Sequence, residues 1–346
     1  MQISPAQHQP PPPPPRRTSS MGFWLVIILL AGLLALSVFG NLALLAGLIA
    51  TAGQSQPEGS DEFPAFHERP SYGVDGPKAV RIALAGIITR DATGGLLFPG
   101  PDHVDLVLRQ IRAARQDQEV QAIILEIDSP GGAITPTDEI YHALQKFRSS
   151  TPDRRVLVHV RDMAASGGYY VAMASDWIIA EPTAIIGSIG VIMQTLNTHA
   201  LSEKIGLRGV TITAGKNKDL LNPFEEINPE HLAILQQIAD DMHGRFAGIV
   251  RDRLGLDDDT LARLTDGRVY VATAAARQGM IDQIGYWDDV MDKLRELLDT
   301  EDVYVVRYEQ PHSFASLLAR MSLPDAGLLS SLNRQQAPRL MYLWRP

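Results

Sequence analysis

Between Thr18 and Pro57 the chain carries no charged residue, and from Phe23 to Ala50 it is almost wholly apolar. Coiled as a helix at 1.5 Å per residue, the apolar part reaches roughly 40 Å, more than the ~30 Å hydrocarbon core of a bilayer. The stretch is therefore read as an uncleaved membrane anchor over residues 21–50. Ala50-Thr51-Ala52 also has the small-residue look of a signal-peptide cleavage site, but the apolar region of a signal peptide is usually only about 7–15 residues long. A buried core helix is disfavoured, because no folded domain precedes it. Arg16-Arg17 lies before the stretch, and Glu58, Asp61 and Glu62 follow it. The positive-inside rule then leaves residues 1–20, a proline-rich tip, in the cytoplasm and sends the rest across the membrane. The expected location is the cell (inner) membrane, in a single pass.

The chain has 346 residues and a net charge of -9. That length allows one sizeable domain, or a modest one with appendages. An acidic balance without a long basic block argues against nucleic acid as a partner. With no cysteine, disulfides, thiolate catalysis and Cys-based zinc sites are excluded. Neither a metal nor a cofactor is expected.

Residues 51–77, rich in Gly, Pro, Ser and acidic side chains, read as a linker. Beyond them short apolar runs alternate with helical spacing. Strands are predicted over 79–84, 121–127, 156–160, 177–180 and 210–213. Helices are predicted around 104–111, 140–147 and from 166, then over 229–254, 257–264 and 288–298. Asn228-Pro229 supplies a cap and a first-turn proline for the long helix. This alternation predicts an α/β domain with a largely parallel sheet covered by helices. Residues 301–346 are read as a C-terminal extension. In it Phe314, Leu317, Leu318 and Met321 have amphipathic spacing, and Leu340–Trp344 form an apolar cluster. Such a tail packs on its own domain, docks on a neighbouring subunit or lies in a peptide groove.

Three segments carry chemistry. Asp128-Ser129-Pro130-Gly131-Gly132 follows an apolar strand and precedes a helix, so its backbone N–H groups can serve an anion or only a turn. Ala164-Ala165-Ser166-Gly167-Gly168-Tyr169-Tyr170 places a serine at a strand-to-helix turn among small neighbours. Ser166 there is either a helix cap or a nucleophile. A nucleophilic serine needs a base. His159 sits inside a strand and His199 beyond the next turn, neither with an evident relay carboxylate. The loop Gly215–Phe224 offers Lys216 and Lys218, although most lysines are solvated surface residues.

The segments 129–132, 164–170, Gly187-Ser188-Ile189-Gly190-Val191, Gly-x-x-Lys-x-x-x-x-Pro-Phe at 215–224 and Asp266-Gly267-Arg268-Val269 resemble, in order, the motifs of the signal peptide peptidase A family. The likeness covers about residues 78–300, which it implies are a serine peptidase domain of crotonase-like and Clp-protease-like fold. It further implies Ser166 as nucleophile and Lys218 as general base, with Lys216 left as a surface charge. Ser188 would hold the lysine amine, and the N–H groups of Gly131 and Gly167 would form the oxyanion hole. A Clp-type base would be a histidine, and none occurs from 167 to 198. Short forms of the family can also share the serine and lysine between neighbouring subunits of a ring-like homo-oligomer.

An ordinary lysine amine, with a pKa near ~10.4, is protonated at neutral pH and cannot act as a base. A lysine used as one has to be desolvated away from carboxylates, so Asp219 is expected to face solvent or cap a turn. The implied activity is a membrane-anchored endopeptidase cutting signal peptides or other small apolar segments. Two alternatives are a crotonase-type acyl-CoA enzyme, which would have no use for Lys218 or an anchor, and a catalytically silent membrane scaffold.

Overall fold

The computed structural model describes residues 21–52, 62–90, 102–309 and 341–344. The chain divides into two units, Met1–Gln56 and Pro57–Pro346. In the first, a single helix α1 covers Met21–Ala52. Its segment Phe23–Leu44 has a mean hydropathy of 2.6 and buries none of its side chains. Among the described residues it is the one helix long and apolar enough to cross a membrane.

The second unit is built on a mostly parallel sheet. Its elements, in chain order, begin with β1 (His67–Tyr72), β2 (Lys78–Ala85), α2 (His103–Gln116), β3 (Val120–Ser129), β4 (Gly131–Ala133) and α3 (Ile134–Arg148). Next come β5 (Arg155–Ala165), α4 (Gly167–Ala172), β6 (Trp177–Ala180), β7 (Ile185–Gly187), α5 (His199–Lys204), α6 (Pro229–Leu254) and α7 (Asp258–Leu264). The series ends with β8 (Val269–Val271), α8 (Ala272–Arg277), β9 (Gln283–Ile284), α9 (Trp287–Leu298), β10 (Tyr304–Glu309) and β11 (Met341–Leu343). The main sheet runs β1-β10-β2-β3-β5-β6-β9, with β7 on the outer part of β5 and β8 on β7. Only β1 against β10 and β8 against β7 are antiparallel within it.

The parallel order explains why β3 and β5 read as nearly unbroken apolar runs: both faces are covered. Ile123, Leu125 and Ile127 point into the core shared with Ile140, Leu144, Phe147 and Tyr170. Ala122 and Ile124 face Val290, Met291 and Leu294 of α9 instead. Capping follows the predicted rules. The Asn228 side chain accepts from the Glu230 N–H at the start of α6, and Gly255 ends that helix in the left-handed region.

Three expectations need correction. The 51–77 linker contains β1, whose burial is slight at His67–Pro70; an antiparallel edge strand with one wet face has no continuous apolar signal. The 301–346 extension begins with β10, which inserts between β1 and β2 and buries Val305 and Val306. That pairing is with residues more than 200 positions away, so no local pattern betrays it. The strand expected over 210–213 is absent, and Val210 and Ile212 are 87% and 95% exposed. The tail residues Phe314, Leu317, Leu318 and Met321 lie outside the described residues.

Candidate active site

Strand β5 runs straight into α4, and Ser166 is the residue at the joint. Its backbone adopts φ 53° and ψ −114°, and its hydroxyl makes no capping hydrogen bond. A non-glycine residue in this region costs about 1–3 kcal/mol, which the surroundings must over-determine. They do: the Ser166 N–H donates to the Gly187 carbonyl at 2.7 Å, and its own carbonyl accepts from the Tyr170 N–H at 2.9 Å. The capping role open in the sequence is therefore not the one adopted.

Gly131 and Gly167 meet beside this turn. A Cβ on Gly167 would lie 3.1 Å from Gly131 Cα, and one on Gly131 would lie 2.5 Å from the Gly167 nitrogen. Only glycines fit back to back here, and Gly131 also has φ 97°. The 129–133 segment is neither a plain turn nor a run of free donors. Residues 131–133 form β4, and the Gly131 N–H donates to Ser129 Oγ at 3.1 Å. Gly167 opens α4, so its N–H has no partner within the helix.

Ser188 follows β7 and has the same positive φ, 53°, and its N–H donates to the Arg268 carbonyl at 2.8 Å. Register pairs Ala165 with Gly187, so Ser166 and Ser188 emerge side by side from adjacent parallel strands. Four of the five predicted residues are thus brought to one end of the sheet.

Lys218 is not among them. It is exposed on an arm between β7 and α6, and among the described residues its amine makes no hydrogen bond or ion pair. The arm is fastened to itself: Thr198 and Asn197 bond to the Pro223 and Glu225 carbonyls, and the His199 ring to the Phe224 carbonyl. Lys216 pairs with Glu230 at 2.8 Å on the surface. A cleft of about 410 Å³ between the arm and the start of α6, walled by Leu196, Leu221 and Leu232, touches none of the predicted site residues. His159 is buried on the sheet face covered by α9, 3.8 Å from Glu126 and 3.6 Å from Glu181. It has carboxylate neighbours that the sequence did not reveal.

An aromatic cluster packed beside the turn had no role in the sequence reading. Tyr170 of α4 and Phe246 of α6 have ring centroids 5.0 Å apart. The Tyr170 hydroxyl donates to Asp138 at 2.5 Å, and Arg245 donates to both. The doubled tyrosine in 164–170 was its only trace in the sequence. Among the described residues no cluster of side chains suited to a metal ion is present.

A profile of peptidase family S49 matches residues 149–301, and one of the Clp proteases matches residues 101–186. A protein of Enterococcus faecium, provisionally named signal peptide peptidase SppA, is 31% identical over 251 residues, covering 72% of this chain and 72% of that protein. The chloroplast serine protease SPPA of Arabidopsis thaliana is 32% identical over 206 residues, 59% of this chain and 30% of the relative. Protease 4 of Salmonella typhi is 28% identical over 284 residues, 79% of this chain and 45% of the relative.

Proposed function

The chain belongs to the signal peptide peptidase A family of serine peptidases, and from that premise we propose that it hydrolyses peptide bonds with Ser166 as nucleophile and Lys218 as base. The supporting observation is the strained, uncapped Ser166 turn beside the paired Gly131 and Gly167 backbones. A hydroxyl held off its helix by backbone geometry is available to attack. The adjacent N–H groups are suited to the charge that builds on the carbonyl oxygen. Gly167 offers its N–H directly. The Gly131 N–H has a 3.1 Å bond to Ser129 Oγ, from which a developing oxyanion can draw it.

In this reading the uncharged Lys218 amine takes the Ser166 proton as Oγ attacks the peptide carbonyl. The resulting ammonium gives that proton to the leaving nitrogen, and water then hydrolyses the ester to release the acid and restore the serine. Ser188, beside Ser166, orients the amine. Because Lys218 is exposed within its own chain, the amine comes from a neighbouring copy in a homo-oligomer. The arm that carries it exposes Leu196, Val210 and Ile212, apolar surface of the kind that a subunit contact covers.

Helix α1 anchors the enzyme in the bilayer, residues 1–20 remain in the cytoplasm and the catalytic unit lies outside it. The substrates are signal peptides or similar apolar segments released near the membrane. A fluorophosphonate probe tests the core of this reading. Labelling of the full chain that disappears in Ser166→Ala is expected. Labelling that persists in that variant removes Ser166 as nucleophile, and no labelling at all favours the silent scaffold.

A further inference from the structure

The segment that carries Gly131 has almost no side chains to hold it. Pro130 brings no N–H, Gly131 and Gly132 have no Cβ, and Ala133 has one methyl group. Gly131 at φ 97° and Gly86, the residue after β2, at φ 76° both lie where glycine moves freely. A buried segment of this kind keeps its shape through hydrogen bonds rather than packing. Along one edge it is tied to Ile88, whose N–H donates to the Gly131 carbonyl at 2.9 Å and whose carbonyl accepts from the Ala133 N–H at 2.8 Å. Those bonds fix the chain from the Gly131 carbonyl onward. The preceding peptide plane, Pro130–Gly131, has two ties of its own. Its carbonyl accepts from the Trp344 N–H at 2.9 Å, and its N–H turns inward to Ser129.

The inward tie reaches the body of the sheet. Ser129 is fully buried at the end of β3, on the face that meets α4. A Cβ on Gly168 would stand 2.8 Å from the Ser129 carbonyl oxygen and 3.4 Å from its Cβ. The Ser129 hydroxyl has one proton, and it is committed to the Gly86 carbonyl at 2.6 Å. The lone pairs are left for the Gly131 N–H, which donates at 3.1 Å. Amide, hydroxyl and carbonyl thus form a chain with one sense, in which each bond strengthens the next. Gly86 is itself pinned, its N–H donating to the Asp128 carbonyl at 2.9 Å. One buried hydroxyl therefore connects the ends of β2 and β3 to the glycine that abuts Gly167.

We propose that Ser129 is a positioning residue for the peptidase reaction, its hydroxyl holding the Pro130–Gly131 peptide so that the glycine backbone beside Ser166 is ready for the charged intermediate. The inference rests on the peptidase reading of the Ser166 turn and adds to it a residue that touches neither substrate nor nucleophile. A neutral acceptor at 3.1 Å orients the Gly131 N–H yet yields it to a negative oxygen, the stronger partner. Without the hydroxyl, the Gly131 N–H and the Gly86 carbonyl lose their shared partner, and the peptide plane rotates towards another. A bound peptide takes its ground-state contacts from strand edges, which the change leaves in place. The intermediate demands donors held to within about 0.5 Å. The loss therefore falls on the transition state.

The test compares the full wild-type chain with Ser129→Ala, which removes the hydroxyl, and Ser129→Thr, which keeps it. With a quenched-fluorescent apolar peptide as substrate, kcat of Ser129→Ala is expected to fall about 10- to 100-fold, short of the ~100- to 1,000-fold that follows outright loss of an oxyanion donor. KM should stay within about twofold of wild type, and Ser129→Thr should recover most of the lost kcat. A leucine-rich peptide aldehyde forms a hemiacetal with Ser166, and its former carbonyl oxygen then stands in for the oxyanion. Its affinity for Ser129→Ala should fall by the same factor as kcat/KM, whereas the matching peptide alcohol, which forms no adduct, should bind unchanged. A Ser129→Ala protein that melts lower but turns over like wild type makes the hydroxyl a fold contact and overturns the proposal. Equal losses of affinity for aldehyde and alcohol overturn it too, because they report a deformed groove. A wild-type chain with neither turnover nor fluorophosphonate labelling at Ser166 removes the peptidase reading, and the positioning role falls with it. An active wild type beside an equally active Ser129→Ala removes the positioning role alone.

Discussion

Ser166 and Ser188 each stand one residue beyond a paired Ala165–Gly187 step of two parallel strands, and both adopt φ 53°. The first is tied to the second's strand by the Ser166 N–H to Gly187 carbonyl bond, and the second is tied onward to Arg268. Two strained turns thus share one support. Their spacing is fixed by sheet register rather than by loops, which is how a site on a rigid element keeps its geometry.

The first consequence concerns Ser188. Glycine at φ 53° relieves the left-handed strain but gives the unfolded chain more freedom, and the two effects nearly cancel. Ser188→Gly is therefore expected to melt within about 1 kcal/mol of wild type while losing about 10-fold in kcat through poorer placement of the base. A melting curve beside a pH–rate profile checks this, with KM little changed. Unaltered kcat leaves Ser188 a strand-end residue and nothing more.

Gly131 is tested by adding a single methyl group. The Cβ of Gly131→Ala would occupy the place where the Tyr342 carbonyl sits and, in the proposed mechanism, where the substrate carbonyl must sit. A fall of about 100-fold or more in kcat/KM is expected, comparable with loss of an oxyanion donor. Because that Cβ also meets the Gly167 nitrogen at 2.5 Å on a backbone with φ 97°, a lowered melting temperature is expected beside the kinetic loss. Near-normal hydrolysis would place the reacting carbonyl elsewhere.

Much of this was legible in the chain itself. The 121–127 and 156–160 runs announced the central strands, because only a sheet buried on both faces uses unbroken apolar strands. Ser166 was legible as a strand-to-helix turn among small residues, open between cap and nucleophile, whereas Ser188, Gly131 and Gly167 drew their roles from the family resemblance alone. The β1 and β10 strands were not, since their pairing is long-range and half exposed. The apolar cluster at 340–344 was visible, but its partner strand was hidden in Gly131-Gly132-Ala133, where one methyl group is the whole side-chain signal for a strand. Lys218 was identified by motif spacing, and spacing says nothing about which copy of the chain its amine serves.

Exposure of Lys218 leads to a mixing experiment. If each site takes its serine from one subunit and its lysine from the next, Ser166→Ala and Lys218→Ala are both inactive alone. Subunits exchanged at equal amounts then regain roughly a quarter of wild-type activity, the share of random neighbour pairs in which both groups are intact. Native mass spectrometry verifies the exchange. No recovery despite exchange would show that each chain supplies its own base.

Helix α1 gives a prediction about partitioning. Twenty-two consecutive uncharged positions, polar only at Ser37 and Asn41 and with every side chain exposed, are stable in lipid and costly in water. The full chain should remain in the pellet after an alkaline carbonate wash, and a chain lacking residues 21–52 should appear in the supernatant with Ser166 still reactive. Release of the full chain by the wash would make the helix a peripheral element.

Acid sensitivity is expected to come from the sheet face under α9. Burial raises the Glu126 carboxyl, but the His159 ring and the Arg81 guanidinium outweigh it and hold the group down at about 2, against an ordinary 4.5. Arg81 is the direct partner, with two bonds of 2.5 Å, whereas His159 Nδ1 stands 3.8 Å away. A carboxyl depressed on folding binds fewer protons in the native state than in the unfolded one. Its contribution is therefore complete above about pH 5 and fades as the pH falls through 4.5 towards 2. At its fullest this contribution is about 3 kcal/mol. Glu126→Gln strands the Arg81 charge and should be less stable at pH 7 by a similar amount. Its urea midpoint should then change less than wild type's between pH 5 and 3, the remaining slope coming from other depressed carboxyls such as Asp117 and Asp138. Parallel midpoint curves for the two proteins would mean that the Glu126–Arg81 pair does not set the acid limit.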